Sequence, residues 1–442
     1  MQRVARSGLY LGIALVVLGL SKVHAAAHGY DFTASARFGW ALAFIVVTGL
    51  AAYSFGLPDL VRSRRSAWLA ATGAALVGAV TISVVQLLVG SALLPRAVVL
   101  GTAIIVVPWG ALSAAAARDA FARVRGRDRV VLVAAADDVD ALAVELGRAP
   151  ERPASLVAAL TVDDARSPEP PAAPSLPLVD AAARVDATVV VLGRDAQSDE
   201  SVVMQAAQLH ERGVRIRTLS MFYEQWLGKL PVSELERVSL LFDIGEVHAP
   251  RYARIKRLAD VTIAACALPV LVGLIPVVAV ANRFGNRGPL LFRQPRTGRH
   301  GRVFSILKFR TMTPTGDGAG ASTVVDDPRI TRFGGLLRKT HLDELPQIWN
   351  ILRGELSIVG PRPEQPHLVA QLEGKIPFYG LRHLVRPGLT GWAQVKYHYG
   401  SDELDALEKL QYEFFYLRHQ SLALDLRIVG RTARSVVGGD GR

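Results

Sequence analysis

The chain has 442 residues, a hydrophobic fraction of 50%, a formal net charge of +12 and a single cysteine, Cys266; its mean hydropathy is +0.26. It is too apolar for one soluble domain and long enough for two or three folding units. One cysteine allows no internal disulfide and fits a reducing compartment. The expected fold class is a membrane protein with α/β domains.

Leu9 to Val23, Phe38 to Tyr53, Ala67 to Leu94 and Ala97 to Ala117 carry one charge between them, Lys22. Each is near the roughly 20 residues that a spanning helix needs, so a four-helix transmembrane region is predicted over residues 1–118. A signal peptide competes for the first run, which is short and follows Arg3 and Arg6; a second apolar run close behind it favours a span. Arg3, Arg6, Arg62, Arg64, Arg65, Arg118, Arg123, Arg125, Arg127 and Arg129 fall on one side, and little more than Arg37 and Arg96 on the other. The positive-inside rule places the amino terminus and everything after Ala117 in the cytoplasm. Much of the net charge therefore faces anionic headgroups of the bilayer, and with no reader motif beside it, nucleic acid is not an expected partner.

Residues 129–235 change to short apolar runs alternating with helical ones. Val130 to Val133 and Thr188 to Leu192 read as buried parallel strands, and Val202 to Gly213 as a helix ending in its glycine, giving a doubly wound α/β unit. Asp163 to Pro177 reads as an exposed loop. The turn after the first strand is Ala134-Ala135-Ala136-Asp137-Asp138, whose methyls and acids oppose the phosphate approach that a glycine-rich turn permits. A structural or regulatory role is expected there rather than nucleotide binding.

Val261 to Ala281 is uncharged, with Pro269, Gly273 and Pro276 inside it and arginines on both flanks. Symmetric positive flanks favour a segment, placed at 258–281, that enters the membrane and returns at a proline-induced bend. A fifth full span is the alternative.

In the polar region that follows, Lys308 and Arg310 share one side of an alternating strand-like stretch and are expected to reach one anion. Arg293, Arg296, Arg299 and Arg302 read equally as a solvated basic face. Asp343 and Glu344 are consecutive, so on a helix they point about 100° apart and cannot share a proton as a facing dyad does. Pro346 sets them at or just before a helix start, where negative charge is favoured. One carboxylate can hold a hard cation while the other stays free as a nucleophile; ordinary helix capping is the bland alternative. Arg362, between Pro361 and Pro363, is presented on a stiff turn suited to diphosphate recognition. Arg386 to Gln394 gives two glycine turns around Thr390 and Trp392, a pocket wall or a tight turn.

These motifs resemble the bacterial polyprenyl-phosphate phosphoglycosyl transferases, in the large monotopic form that initiates exopolysaccharide synthesis. The residues that carry it are Gly288-Pro289 with Arg293-Gln294, Lys308-Phe309-Arg310-Thr311-Met312, Leu342-Asp343-Glu344-Leu345-Pro346-Gln347, Val359-Gly360-Pro361-Arg362-Pro363 and Pro387 to Gln394, all within 251–437. Four membrane helices and a Rossmann-like domain at 129–235, with Phe222-Tyr223-Glu224, are similar to the family's usual extension. The resemblance implies a double displacement at the cytoplasmic face of the bacterial inner membrane. Asp343 takes a sugar 1-phosphate from a UDP-sugar, releasing UMP, and polyprenyl phosphate then takes it from Asp343. It further implies Mg²⁺ held by Glu344 and phosphate or nucleotide contacts from Lys308, Arg310, Arg338 and Arg362. Expected partners are the UDP-sugar, polyprenyl phosphate, the bilayer, downstream glycosyltransferases and further copies of the chain. Glucose or galactose 1-phosphate is the expected group, with N-acetylated sugars next. His341, where the family often has Ser, and Glu413, where it commonly has Asp, depart from the pattern. The contrasting hypothesis is a non-catalytic membrane scaffold, which has no need of the Asp343, Glu344 and Arg362 constellation.

Overall fold

A computed structural model describes residues 2–58, 64–89, 94–123, 128–148, 154–166, 176–231, 249–285, 288–313, 329–397 and 403–438. Arg62, Arg125, Arg127, Arg287 and 167–175 of the expected loop lie outside them. The chain divides into two compact units, one of Met1–Ala120 with Leu241–Arg442, the other of Phe121–Leu240.

The first unit begins with four helices, α1 (Gln2–Ala27), α2 (Ala36–Ser54), α3 (Arg64–Val89) and α4 (Arg96–Arg123). Leu9, Ala51, Phe55, Ala70 and Val106 meet in one buried cluster, and Val17, Phe44, Ile82 and Val99 in a second. A helix that starts in one cluster ends in the other, so neighbours run antiparallel. Small residues let the helices close up: a Cβ on Gly12 would stand 2.0 Å from the Trp109 ring. Leu11, Leu15, Val46, Leu100 and Ile104 face outward, and helices apolar on both faces suit lipid rather than water. With Pro250–Gly285 below, five helices are long and apolar enough to cross a membrane.

The second unit is a four-stranded parallel sheet of β1 (Asp128–Val133), β2 (Ala154–Leu160), β3 (Val189–Leu192) and β4 (Arg215–Thr218), in the order β2-β1-β3-β4. Helices α5 (Ala136–Arg148), α6 (Pro177–Arg184) and α7 (Glu200–Glu211) join the strands. The sheet is buried on both faces: Val130, Leu132 and Val191 pack with Leu142 and Phe222, while Val131, Val133 and Val190 pack with Leu178 and Val202. Asp199 caps α7 by accepting the Val202 N–H (3.0 Å). The strand order reverses between β1 and β3, the usual position of a nucleotide crevice. Here the Gly193 N–H donates to the Val133 carbonyl (2.8 Å), and a Cβ on Gly193 would stand 2.8 Å from that of Ala134. The two strand ends touch where a pyrophosphate would need room.

The carboxyl-terminal part of the first unit starts with α8 (Pro250–Gly285) and the antiparallel hairpin of β5 (Leu291–Thr297) and β6 (Val303–Phe309). It continues with α9 (Arg332–Lys339), a 3₁₀ turn (Leu342–Gln347), α10 (Ile348–Arg353), and the parallel pair β7 (Ser357–Val359) and β8 (Gly388–Thr390). It closes with α11 (Glu403–Arg418) and α12 (Leu422–Gly438).

Three ionised residues near the start of α8 are all satisfied, as buried charge requires. Lys256 pairs with Asp425 (2.9 Å), which also accepts the Tyr252 and Tyr416 hydroxyls. Arg257 donates to the carbonyls of Ile351 and Leu352, and Asp260 accepts the Ser357 hydroxyl and the Ile358 N–H. Ala264, Leu271 and Val278, two helical turns apart, pack with Phe304, Phe309, Leu337 and Ile348 in one cluster. The opposite faces expose Ile263, Val270, Val272, Val277 and Val280. Helical structure runs through Pro269 and Pro276 in α8; each proline removes one N–H donor, which lets a helix bend without ending.

Helix α12 touches both ends of this unit. Its Thr432 hydroxyl meets that of Thr390 on β8 (2.6 Å). On the bundle side, a Cβ on Gly430 would stand 1.9 Å from the Ser54 carbonyl oxygen at the end of α2, so only glycine lets the two backbones meet. Arg427 donates to the Tyr53 hydroxyl (3.2 Å) and lies over its ring, a cation set at the negative end of α2.

Candidate active site

Asp343 and Glu344 ride on the 3₁₀ turn Leu342–Gln347, entered through His341 at φ 53°. They precede the helix α10 instead of lying in its first turn. A left-handed non-glycine residue costs on the order of 1–3 kcal/mol and is held by its surroundings. Here the His341 N–H donates to the Arg338 carbonyl and its own carbonyl accepts the Glu344 N–H. Asn350, 2% exposed, ties the turn to β6 by donating to the Ser305 carbonyl (2.8 Å) and accepting the Leu307 N–H (3.2 Å).

The Lys308-Phe309-Arg310-Thr311-Met312 motif is spread over four tasks. The Lys308 ammonium bonds a Glu344 carboxylate oxygen (2.6 Å). Phe309 fills the core at 1% exposure. The Thr311 hydroxyl accepts from Arg338 Nε (3.1 Å), and Met312 Sδ takes a second Arg338 contact. Arg310, next on the Lys308 side of the hairpin, donates through Nε to the Pro289 carbonyl (3.0 Å) and lines a groove with Leu290 and Phe292. Gly334 brings α9 against Thr311, whose carbonyl would be 2.0 Å from a Cβ there, and so delivers Arg338 beside the acids.

The two carboxyls have opposite tendencies. Burial and the Glu344 charge push Asp343 above the usual carboxylate range, against the pull of Lys308, Arg338 and His341. Burial also works against Glu344, but Lys308 and Arg362 more than offset it and hold its carboxyl low. Neighbouring acids with divergent protonation preferences have divergent roles.

Arg362 is held through its own peptide groups. Its carbonyl accepts from Arg382 (2.8 Å) and its N–H bonds the Glu413 carboxylate. Arg382 and Glu413 form an ion pair (2.7 Å), each side chain 5% exposed. Burial works against both charges; two donors to the carboxylate make the ionic form the one that fits. Arg296 adds a third cation, donating to the Pro363 carbonyl (3.0 Å) and lying 3.6 Å from Glu364. Burial and the Arg362 charge lower its pKa, but the guanidinium stays protonated. Lys308, Arg338, Arg362 and Arg296 thus surround the acidic pair.

A model of the family described as "Bacterial sugar transferase" matches residues 251–439. The exopolysaccharide production protein PSS of Rhizobium leguminosarum bv. phaseoli is 38% identical over 188 residues, 41% of this chain and 94% of that protein. The chain belongs to the bacterial sugar transferase family.

This sugar transferase is also similar to the UDP-N-acetylgalactosamine-undecaprenyl-phosphate N-acetylgalactosaminephosphotransferase of Aeromonas hydrophila, 39% identical over 264 residues, 59% of this chain and 61% of that one. The UDP-glucose:undecaprenyl-phosphate glucose-1-phosphate transferase of Xanthomonas campestris pv. campestris is 42% identical over 217 residues, 48% of this chain and 43% of that one. The chain therefore spans less than two thirds of these two relatives.

In this sugar transferase Lys308, Arg338, Arg362, Asp343 and Glu344 lie near one another. Arg296, left open by the sequence as one of four closely spaced arginines, joins them, whereas Arg382, whose flanking residues carry no motif, was not foreseen. The Pro387 to Gln394 segment is a packed wall. Trp392 stacks on Phe415, and a Cβ on Gly388 would stand 2.1 Å from the Gly360 nitrogen and 2.4 Å from the Thr390 carbonyl oxygen. Both obstacles are backbone, so Gly388→Ala is expected to force β7 and β8 apart and cost at least the roughly 1–3 kcal/mol of overpacking. A thermal unfolding scan of the purified protein checks this; an unchanged midpoint would refute it.

Proposed function

We propose that the chain is a phosphoglycosyl transferase that moves a sugar 1-phosphate from a UDP-sugar to polyprenyl phosphate, releasing UMP and initiating an exopolysaccharide or capsule repeat unit. The observation that carries this reading is the split pair: a buried carboxyl with a raised pKa, Asp343, beside an ionised, lysine-bound one, Glu344. The names of the Aeromonas and Xanthomonas relatives supply donor and acceptor classes.

A carboxylate oxygen of Asp343 attacks the β-phosphorus of the donor. An O–P bond forms, the bond between that phosphorus and the bridging oxygen breaks, and UMP departs with the electron pair. A phosphate oxygen of the acceptor then attacks the same phosphorus and returns the carboxylate. The phosphoryl group carries spread negative charge throughout, so most of the catalysis is electrostatic placement. Arg338 and Arg362 hold the donor phosphates, Lys308 fixes Glu344 and neutralises nearby charge, and Arg296 stiffens the Arg362 turn.

Mg²⁺ fits this donor set. Among the described residues no cluster of three or more His, Cys, Asp or Glu stands ready for a metal, but Mg²⁺ is commonly held by one or two carboxylates with substrate phosphates and water completing the shell. Glu344, low in pKa and with one oxygen engaged by Lys308, is the carboxylate that would hold it. Bound there, Mg²⁺ supplies neutralisation of diphosphate charge.

The same reading makes α1–α4 four spans, α8 a re-entrant segment and the parallel-sheet unit a Rossmann-like domain, with catalysis at the cytoplasmic face of the bacterial inner membrane. Supporting re-entry, Lys256 to Asp260 and Val278 pack on one catalytic core although they lie at opposite ends of α8's apolar stretch. Supporting the sidedness, α12 meets the bundle at the arginine-bearing α2–α3 end.

The test is UMP release from a panel of UDP-sugars by the purified full chain in detergent with Mg²⁺, with and without undecaprenyl phosphate and with EDTA. Lipid-dependent release from one donor, lost with EDTA, is expected. No release from any donor would favour the scaffold.

A further inference from the structure

We propose that the acceptor lipid docks along one face of the β5–β6 hairpin, its first isoprene units on Leu290 and Phe292 and its phosphate on Arg310, before moving inward to Lys308 and Asp343. This rests on the phosphoglycosyl transferase reading above.

The hairpin register places these residues. Phe292 lies opposite Lys308, and the Arg310 N–H donates to the Leu290 carbonyl. Directly opposed residues share a face, as do alternate residues along a strand. Leu290, Phe292, Gln294 and Arg296 therefore form one row, and Arg310 and Lys308 the row beside it. At the inner end of this face Lys308 holds Glu344 (2.6 Å) and Arg296 braces the Arg362 turn (3.0 Å). At its outer end lies an open groove of about 620 Å³ lined by Pro289, Leu290, Leu291, Phe292, Arg293 and Arg310, within the roughly 300–1,000 Å³ of small-ligand clefts. The outer end comes shortly after the apolar helix α8 in the chain, so under the reading above it lies near the lipid.

The lining commits the groove to one kind of occupant. The lining side chains hold no hydrogen-bond acceptor for a base or a sugar hydroxyl, whereas an apolar row ending in a guanidinium matches an isoprenoid chain that ends in a doubly charged phosphate. Continuity with the carboxylates separates the acceptor from a bulk phospholipid, which has no reason to be led toward Asp343. Arg310, steadied by the Pro289 carbonyl, marks the outer end of the row that leads to Lys308.

The experiment uses the full chain in nanodiscs, with initial rates over undecaprenyl phosphate at saturating donor and over donor at saturating acceptor. For Phe292→Ser and for Arg310→Gln the expected result is a rise of roughly tenfold or more in the acceptor KM with little movement of the donor KM, and for Phe292→Ser a smaller penalty with a short-chain prenyl phosphate. An unchanged acceptor KM, or donor and acceptor KM rising together, overturns the proposal. So does loss of the difference between variant and wild type when phosphatidylglycerol is added to the discs, since that marks a general headgroup anchor. If the wild type itself shows no transfer, the functional reading fails instead.

Discussion

Asp343→Asn is expected to lose sugar-phosphate transfer by more than about a thousandfold, upwards of about 4 kcal/mol of barrier, while the protein becomes no less stable. Amide and carboxylate are nearly isosteric, so the 8% exposed site repacks little. The amide oxygen, however, cannot form the bond to phosphorus on which the double displacement depends. The stability half follows from the sign of the shift. Burial holds the folded-state Asp343 carboxyl above its unfolded value, so its ionisation at neutral pH opposes folding, and an uncharged replacement removes that opposition. Exchange of labelled UMP into the UDP-sugar isolates the first displacement without any lipid, and a thermal scan of the same preparation reads stability. Wild-type exchange in the variant would remove Asp343 from the role of nucleophile; lost exchange with a collapsed melting temperature would make it a structural residue.

Separating Arg382 from Glu413 is the change expected to cost the fold most. Arg382→Met or Glu413→Gln leaves one charge at about 5% exposure without its counterion, a loss of about 3–5 kcal/mol. His383 cannot substitute for the guanidinium, because burial and the Arg382 charge hold it down to about 4 and it is neutral at working pH. The double variant is expected to lose less than the sum of the singles, since neither charge is then stranded. Activity separates this role from mere support: both groups hold the backbone of Arg362, so UMP release should fall in detergent even at temperatures where the variants remain folded. Glu413→Asp, which keeps the charge, is expected to retain more of both properties. Variants as stable and active as wild type would show that the pair does not position Arg362.

How much of this could be read from residues alone depended on the range of the forces involved. Asp343 and Glu344 were legible because their neighbour Pro346 constrains the local backbone, and Arg362 because prolines flank it. The apolar helices were legible because each is a continuous run. Lys308 and Arg310 were legible as one row from strand alternation, and the Arg310 N–H on the Leu290 carbonyl carries that register one residue past the β6 ladder; the Pro289 carbonyl that accepts from the Arg310 side chain was not legible, because it depends on how the hairpin is entered. Arg382 and Glu413 were harder still, since their burial arises from packing of segments far apart in sequence. The two prolines of α8 were legible as points of bending because their local preference is plain, whereas the packing of Ala264, Leu271 and Val278 against the hairpin core is not local.

Gly430 sets a condition on how this protein can be dissected. Its missing side chain lets α12 rest against the carbonyl end of α2, with Arg427 on Tyr53 alongside, so the bundle and the sheet carrying Arg362 share one rigid rod and no slack tether. Cutting the chain ahead of Pro250 thus removes more than an anchor. It strips a surface shaped by backbone contact, bares Arg427 and Ala433, and leaves the orientation of the site to be supplied by α8 alone.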